Sequence, residues 1–176
     1  MYRATDSSAW TKQPKLALPR ILVAIASYRD EECKHTIDDL FKTASSPERV
    51  SVAVMDQSDH ATDGECVSAS AKYPEQIGVH TLHWSLAKGP CWARAMLQQC
   101  LEAEGYYLQI DSHMRFVENW DEILLRQLAA CPAEKPILST YPLGYTRPDK
   151  LPAHRRKTTT NHPVVTFRPS LTHCLW

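Results

Sequence analysis

The run Ile21-Leu22-Val23-Ala24-Ile25-Ala26-Ser27-Tyr28-Arg29-Asp30 decides the fold. Six consecutive apolar residues, rich in β-formers, suit a strand buried on both faces, and such strands belong to parallel sheets covered by helices. The polar string after them ends the strand. Asp30 is placed to cap a helix, with Glu31 and Glu32 in its first turn, where the dipole favours acids. Ile37, Leu40, Phe41 and Ala44 then recur at helical spacing before Ser45-Ser46-Pro47 stops the segment.

The same alternation continues outward. Further strands are expected over 50–55, 77–84, 106–110 and 137–141, and a short helix over 65–74. The polar stretch 57–64 reads as a loop. Gly89-Pro90 opens a helix in which Trp92, Met96, Leu97, Cys100 and Leu101 share a face, and Gly105 ends it. Asn119 caps a last helix carrying Ile123, Leu124, Gln127 and Leu128. The strands start near 21, 50, 77, 106 and 137, close to the ~30-residue step of a βαβ unit. This predicts an α/β fold, a mostly parallel sheet with helices on both faces. Ligands of such sheets bind beyond the carboxyl ends of the strands. There stand the polar clusters Ser27-Tyr28-Arg29-Asp30, Asp56-Gln57 and Asp111-Ser112-His113.

Composition narrows the function. The 176 residues carry 20 basic and 20 acidic side chains, a formal net charge of zero. That removes the general basic footprint of a nucleic-acid or anionic-membrane binder. No apolar run approaches the ~20 residues of a membrane span. The first residues have no apolar core of the secretory kind, so a cytoplasmic protein is the expectation. Residues 147–176 hold six basic residues, one acid and four of the twelve prolines, and read as an irregular basic tail. Residues 1–20 read as an irregular lead-in to the domain over 21–146. None of the six cysteines forms a Cys-x-x-Cys pair, so free thiols are expected. Cys91, beside Trp92 and Arg94, reads first as a buried apolar thiol and second as a nucleophile. Trp92, Trp120, Tyr106 and Tyr107 read as core residues.

Asp111-Ser112-His113 is the sharpest feature. A carboxylate and an imidazole two residues apart, just past a strand, suit a divalent metal such as Mn²⁺, which accepts oxygen and nitrogen ligands. The same three residues also read as a capped turn. Lys88 and Arg94 suit phosphate charge, or equally a surface cation and an ion pair. Tyr28 suits a flat base, with Ser27 and Asp30 near ribose hydroxyls. Glycine-rich dinucleotide and P-loop motifs are absent, as are the Gly-x-Ser-x-Gly elbow and His-Glu-x-x-His.

Five strings occur in order: Ala26-Ser27-Tyr28-Arg29-Asp30, Lys88-Gly89-Pro90-Cys91-Trp92-Ala93-Arg94, Leu108-Gln109-Ile110-Asp111-Ser112-His113-Met114-Arg115-Phe116, Trp120-Asp121-Glu122 and Thr140-Tyr141-Pro142. With these the chain resembles the polypeptide N-acetylglucosaminyltransferase family, glycosyltransferase family 60, over roughly residues 20–146. The best-known members add GlcNAc to hydroxyproline on a cytoplasmic ubiquitin-ligase subunit. The resemblance implies a GT-A fold and a metal-dependent transfer of GlcNAc from UDP-GlcNAc to a protein hydroxyl, with an α-linked product. It implies that Asp111 and His113 hold Mn²⁺ or Mg²⁺ on the diphosphate. It places Ser27, Tyr28, Arg29 and Asp30 on the uridine side, and Arg94 near metal and phosphates. Asp56 and Ser112 by their strand ends, and Lys88 by its charge, are further donor-site candidates. Family members continue well past the Thr-Tyr-Pro strand, and the segment beyond about Asp149 does not resemble them. A shortened, inactive UDP-sugar-binding module is therefore the alternative expectation. No residue is singled out for the transfer step itself.

Overall fold

The computed structural model describes residues 19–68, 71–102, 104–140 and 145. Four strands form one parallel sheet: β1 (Ile21–Tyr28), β2 (Val50–Gln57), β3 (Ile77–Leu82) and β4 (Tyr106–Asp111). Their order is β3-β2-β1-β4, and all three pairings are parallel. β1 and β2 occupy the centre, which is why their residues are apolar on both faces. Three α-helices follow the expected alternation: α1 (Cys33–Thr43), α2 (Pro90–Gln98) and α3 (Trp120–Ala129).

Side chains alternate across each strand, so the two faces have separate cores. On one face Ile21, Val23, Ile25, Val50, Val52 and Val54 pack with Ile37, Leu40 and Phe41 of α1 and Trp120 of α3. On the other, Leu22, Ala24, Ala53 and Met55 meet Ala93 and Leu97 of α2. Helices thus cover both faces, as the sequence predicts. Gly89 precedes α2 at φ 88°, a left-handed position suited to glycine, and Pro90 enters the first turn.

One buried ion pair ties α3 to the entry of β2. Asp121 is wholly buried and accepts hydrogen bonds from three residues. The backbone N–H groups of Ser45 and Ser46 each donate one, and the Arg49 guanidinium donates at 3.0 and 2.7 Å. Trp120, next to it, donates its indole N–H to the Leu40 carbonyl at 2.9 Å. Burial pushes the Asp121 carboxyl up, but the hydrogen bonds from Ser45, Arg49 and Ser46 outweigh it and hold the group below the usual carboxylate range.

Several expectations are corrected. Cys33 and Cys66 form a disulfide, not free thiols. The first turn of α1 and the loop after β2 bring their Cα atoms to 5.3 Å, within bonding reach. Cys91 is free but exposed, because it enters α2 on the side turned from the sheet. Leu101 is exposed as well, since α2 ends at Gln98. Asp30 does not cap α1: the helix begins at Cys33, and Asp30 instead closes the turn before it by accepting the Glu32 N–H at 3.0 Å. Asn119 stands at the N-cap of α3 but in the left-handed region, φ 60°, with no side-chain cap bond. The described residues of 65–74 contain no α-helix, and only the 3₁₀ turn Pro74–Gln76 leads into β3. The expected strand over 137–141 is not formed at 137–140, where Ile137 is exposed. Ile137-Leu138 followed at once by Ser139-Thr140 gives too short an apolar run to bury. Residue 141, the tail from 147 and most of 1–20 lie outside the described residues. Among the described residues no helix is long and apolar enough to cross a membrane.

The ion pair and the cross-link each set a measurable stability. Asp121→Asn leaves Arg49 buried without its counter-charge and is expected to cost about 3–5 kcal/mol in chemical denaturation at pH 7. Because the folded-state pKa of Asp121 is lowered, its contribution is complete above the unfolded value of about 3.9 and is lost as pH falls through the folded value. The acid limb of the stability profile should therefore shrink in the variant. The disulfide spans 33 residues, and chain entropy gives it about 3–4 kcal/mol. Melting with and without dithiothreitol, and alkylation of the unreduced chain, read it directly. An unchanged melting temperature, or alkylation of both Cys33 and Cys66 before reduction, would refute the cross-link.

Candidate functional site

The carboxyl edge of the sheet gathers most of the residues singled out in the sequence. Register sets Asp111 of β4 beside Ala26 and Asp56 of β2 beside Ser27. The loop after β4, residues 112–116, folds back onto α1 and the turn before it. Four side chains there hold it. Asp30 accepts from Ser112 Oγ at 2.6 Å and pairs with His113 Nδ1 at 2.8 Å. Thr36 bonds the backbone of Ser112 and Met114. Glu32 pairs with Arg115 at 2.7 Å, both buried. Asp39 accepts the Phe116 N–H at 2.7 Å.

The Asp30 carboxyl is raised by burial and lowered by the bonds from Ser112, His113 and the Glu32 N–H, and the lowering wins. It is therefore ionised near neutrality. Facing this acceptor, His113 donates Nδ1–H to it, which turns Nε2 away from Asp30 on an imidazole whose side chain is 61% exposed. The Asp111 side chain is 53% exposed, and its Oδ1 accepts from Arg94 at 2.9 Å. Lys88 Nζ lies 5.5 Å from the centre of the Trp92 ring.

Other candidates stand differently. Ser27 is buried, and its carbonyl accepts from Gln57 Nε2. Asp56 is buried and paired with His60 at 2.9 Å. Tyr28 is exposed at the strand end. Arg29, in the left-handed region at φ 49°, makes a two-point ion pair with Asp63 at 2.9 Å and lies over the Trp84 ring at 5.1 Å. The loop after β2 is thus fastened on either side of Asp30, through Arg29–Asp63 and through Cys33–Cys66.

Sequence reasoning missed Glu32, Thr36, Asp39, Asp63 and Trp84 as parts of this edge. The one readable signal was Thr36, a polar residue one position before Ile37 on the buried face of α1.

The donor set bears on whether a divalent ion fits. Among the described residues no three His, Cys, Asp or Glu side chains converge on one point. The chain offers two exposed donors, an Asp111 oxygen and His113 Nε2, the second oriented by the Asp30 carboxylate. A carboxylate behind a histidine is the usual support of a metal-binding imidazole. Two protein donors leave the remaining positions to the oxygens of a bound ligand, which suits a Mg²⁺- or Mn²⁺-like ion. The residues fit such an ion.

The fold belongs to a known class. Among solved structures the chain is similar to the mannosyltransferase PcManGT from Pyrobaculum calidifontis, in complex with GDP-Man and Mn²⁺. The TM-score is 0.51 at 15% identity, over 71% of this chain and 38% of that one. The fold is the GT-A fold of nucleotide-sugar glycosyltransferases. The family model Glycosyltransferase (GlcNAc) matches residues 20–79 and 68–170, so the likeness runs past the expected limit at 146 and into the segment beyond Asp149, and the chain belongs to that glycosyltransferase family. No curated protein matches the chain.

Proposed function

We infer that the chain takes UDP-GlcNAc at the carboxyl edge of the sheet, with Mn²⁺ or Mg²⁺, and passes GlcNAc to a protein hydroxyl of the hydroxyproline kind. The observation that carries this is the cluster Asp30–His113 and Arg94–Asp111 at the ends of β1 and β4. Membership of a family described by GlcNAc supports the sugar, and the similar mannosyltransferase was solved with a nucleotide sugar and Mn²⁺. The chain spans 38% of that protein's length.

In this reading Asp111 and His113 hold the ion, and Asp30 fixes the imidazole that presents Nε2. A divalent ion held there supplies positive charge against the developing charge of the leaving diphosphate. Arg94 and Lys88 add fixed positive charge on the same side, as phosphate sites require. Tyr28 offers a flat exposed ring beside the nucleoside. Ser112 acts through Asp30. Ser27 and Asp56 are buried and shape the floor of the site rather than touch the ligand. The resemblance implies a cytoplasmic setting, and against it stands the Cys33–Cys66 disulfide, which a reducing cytosol disfavours.

Thermal melting with UDP and MnCl₂ tests the site. UDP at about one hundred times its dissociation constant should add about 2.7 kcal/mol and raise the melting temperature. The rise should need the metal and vanish in Asp111→Ala, whose own melt should stay near that of the parent because the side chain is exposed. Equal UDP affinity in that variant would refute the assignment. UDP release in the presence of a hydroxyproline peptide then separates a working transferase from a module that only binds.

A further inference from the structure

We propose that Thr36 is the positioning residue of the segment that carries Asp111 and His113, an inference that rests on the nucleotide-sugar reading above. Thr36 lies in the first turns of α1 and is wholly buried, on the helix side that buries Cys33, Ile37, Leu40 and Phe41, with Thr43 at the last turn. A hydroxyl in such a place is costly unless it is bonded. Its Oγ1 donates to the Ser112 carbonyl at 2.7 Å and accepts the Met114 N–H at 2.9 Å, with the Met114 carbonyl at 3.2 Å.

Ser112 and Met114 flank His113. One hydroxyl therefore clamps the backbone on both sides of the residue that presents the imidazole. The neighbouring anchors act elsewhere: Asp30 on the side chains of Ser112 and His113, Glu32 on the side chain of Arg115, and Asp39 on the N–H of Phe116. Among the described residues Thr36 alone bonds the backbone at both 112 and 114. Without its hydroxyl a carbonyl and an N–H are left unpaired at a buried spot, and groups so placed move to recover partners. Such a movement swings the Nε2 donor relative to Asp111. Thr36 touches neither ion nor nucleotide in this arrangement, so it acts only through the loop.

The test compares the full chain with Thr36→Val and Thr36→Ser, titrating UDP by calorimetry with and without MnCl₂. Loss of a supporting partner of this kind typically weakens metal affinity about 10–100-fold. Thr36→Val should weaken Mn²⁺-dependent UDP binding by that factor while leaving metal-free UDP binding unchanged. Thr36→Ser, which restores the hydroxyl, should bind like wild type. Wild-type affinity in the valine variant overturns the proposal. So does equal weakness in the serine variant, or a loss of the same size with and without Mn²⁺, which marks a general structural role. Where valine fails to melt cooperatively, Thr36→Ala, which adds no atom, takes its place. Hydrogen exchange in wild type gives a reading independent of any variant: a Met114 amide as fast as exposed amides overturns the clamp. UDP binding to wild type that ignores Mn²⁺ refutes the site reading itself. That result is visible before any Thr36 variant is made, and the positioning role falls with it.

Discussion

The hold of α1 on the loop after β4 is the constraint on which the rest of the site depends. A parallel strand ends at an edge, and the chain beyond it has no ladder to keep it in place. Here the residues past Asp111 are held by Asp30, Glu32, Thr36 and Asp39, all from one helix and its approach. The Thr36 bond is buried and the others are partly so, and an unpaired partner in such a setting is expensive, so the loop has little alternative. The helix in turn is fixed from below by its apolar face on β1 and β2, and from the side by the Cys33–Cys66 cross-link. Core packing thereby reaches the exposed donors Asp111 and His113 through a short series of contacts.

The two halves of the carboxyl edge differ in character. On the β4 side the polar groups are exposed at their tips and buried at their supports: Asp111 and His113 point outward, while Ser112, Thr36 and the Glu32–Arg115 pair lie inside. On the β2 side the carboxylates are taken up by partners within the chain. Asp56 is paired with His60, and Asp63 with Arg29. In the proposed reading the diphosphate and its metal lie on the β4 side, where Asp111 and His113 are exposed. The β2 side exposes the Tyr28 ring and the Arg29 guanidinium, which is paired with Asp63 and laid over Trp84. In the proposed reading, this division matches the two ends of a nucleoside diphosphate sugar.

Much of the fold was legible in the sequence, for identifiable reasons. The βαβ spacing and the apolar strand runs came through because burial on both faces leaves an unbroken hydrophobic string, as in 21–26 and 50–55. Gly89-Pro90 was readable because a left-handed residue and a ring-fixed φ each admit few residue types. Asp111 and His113 stood out through their place at a strand end. Most of the errors depend on partners distant in sequence. Cys33 and Cys66 look like scattered thiols until α1 and the post-β2 loop meet. Asp30 looks like a helix cap until Ser112 and His113, more than eighty residues on, claim its second oxygen. Thr36 carries no local mark beyond its polarity. The strand expected at 137–141 rested on the ~30-residue spacing of the earlier strands and a short apolar run, and Ile137-Leu138 is too short to be buried.

The support given to His113 also bears on why an imidazole can stand where a second carboxylate could. A carboxylate at that position, close to Asp30 and Asp111, would set three acids at one edge, and one of them would tend to take up a proton. A histidine relieves that crowding. Its Nδ1–H satisfies Asp30, the lowered pKa of Asp30 keeps that acceptor ionised, and Nε2 is left facing away from it, the atom that holds the ion in the proposed reading. Arg94 balances Asp111 on the other side. The edge is thus nearly neutral before any ligand arrives, so an ion and a diphosphate entering together meet little like-charge repulsion. An ion entering alone finds only two donors, one already shared with a guanidinium. In the proposed reading, the ion is therefore held better together with the nucleotide's oxygens than by these two side chains alone.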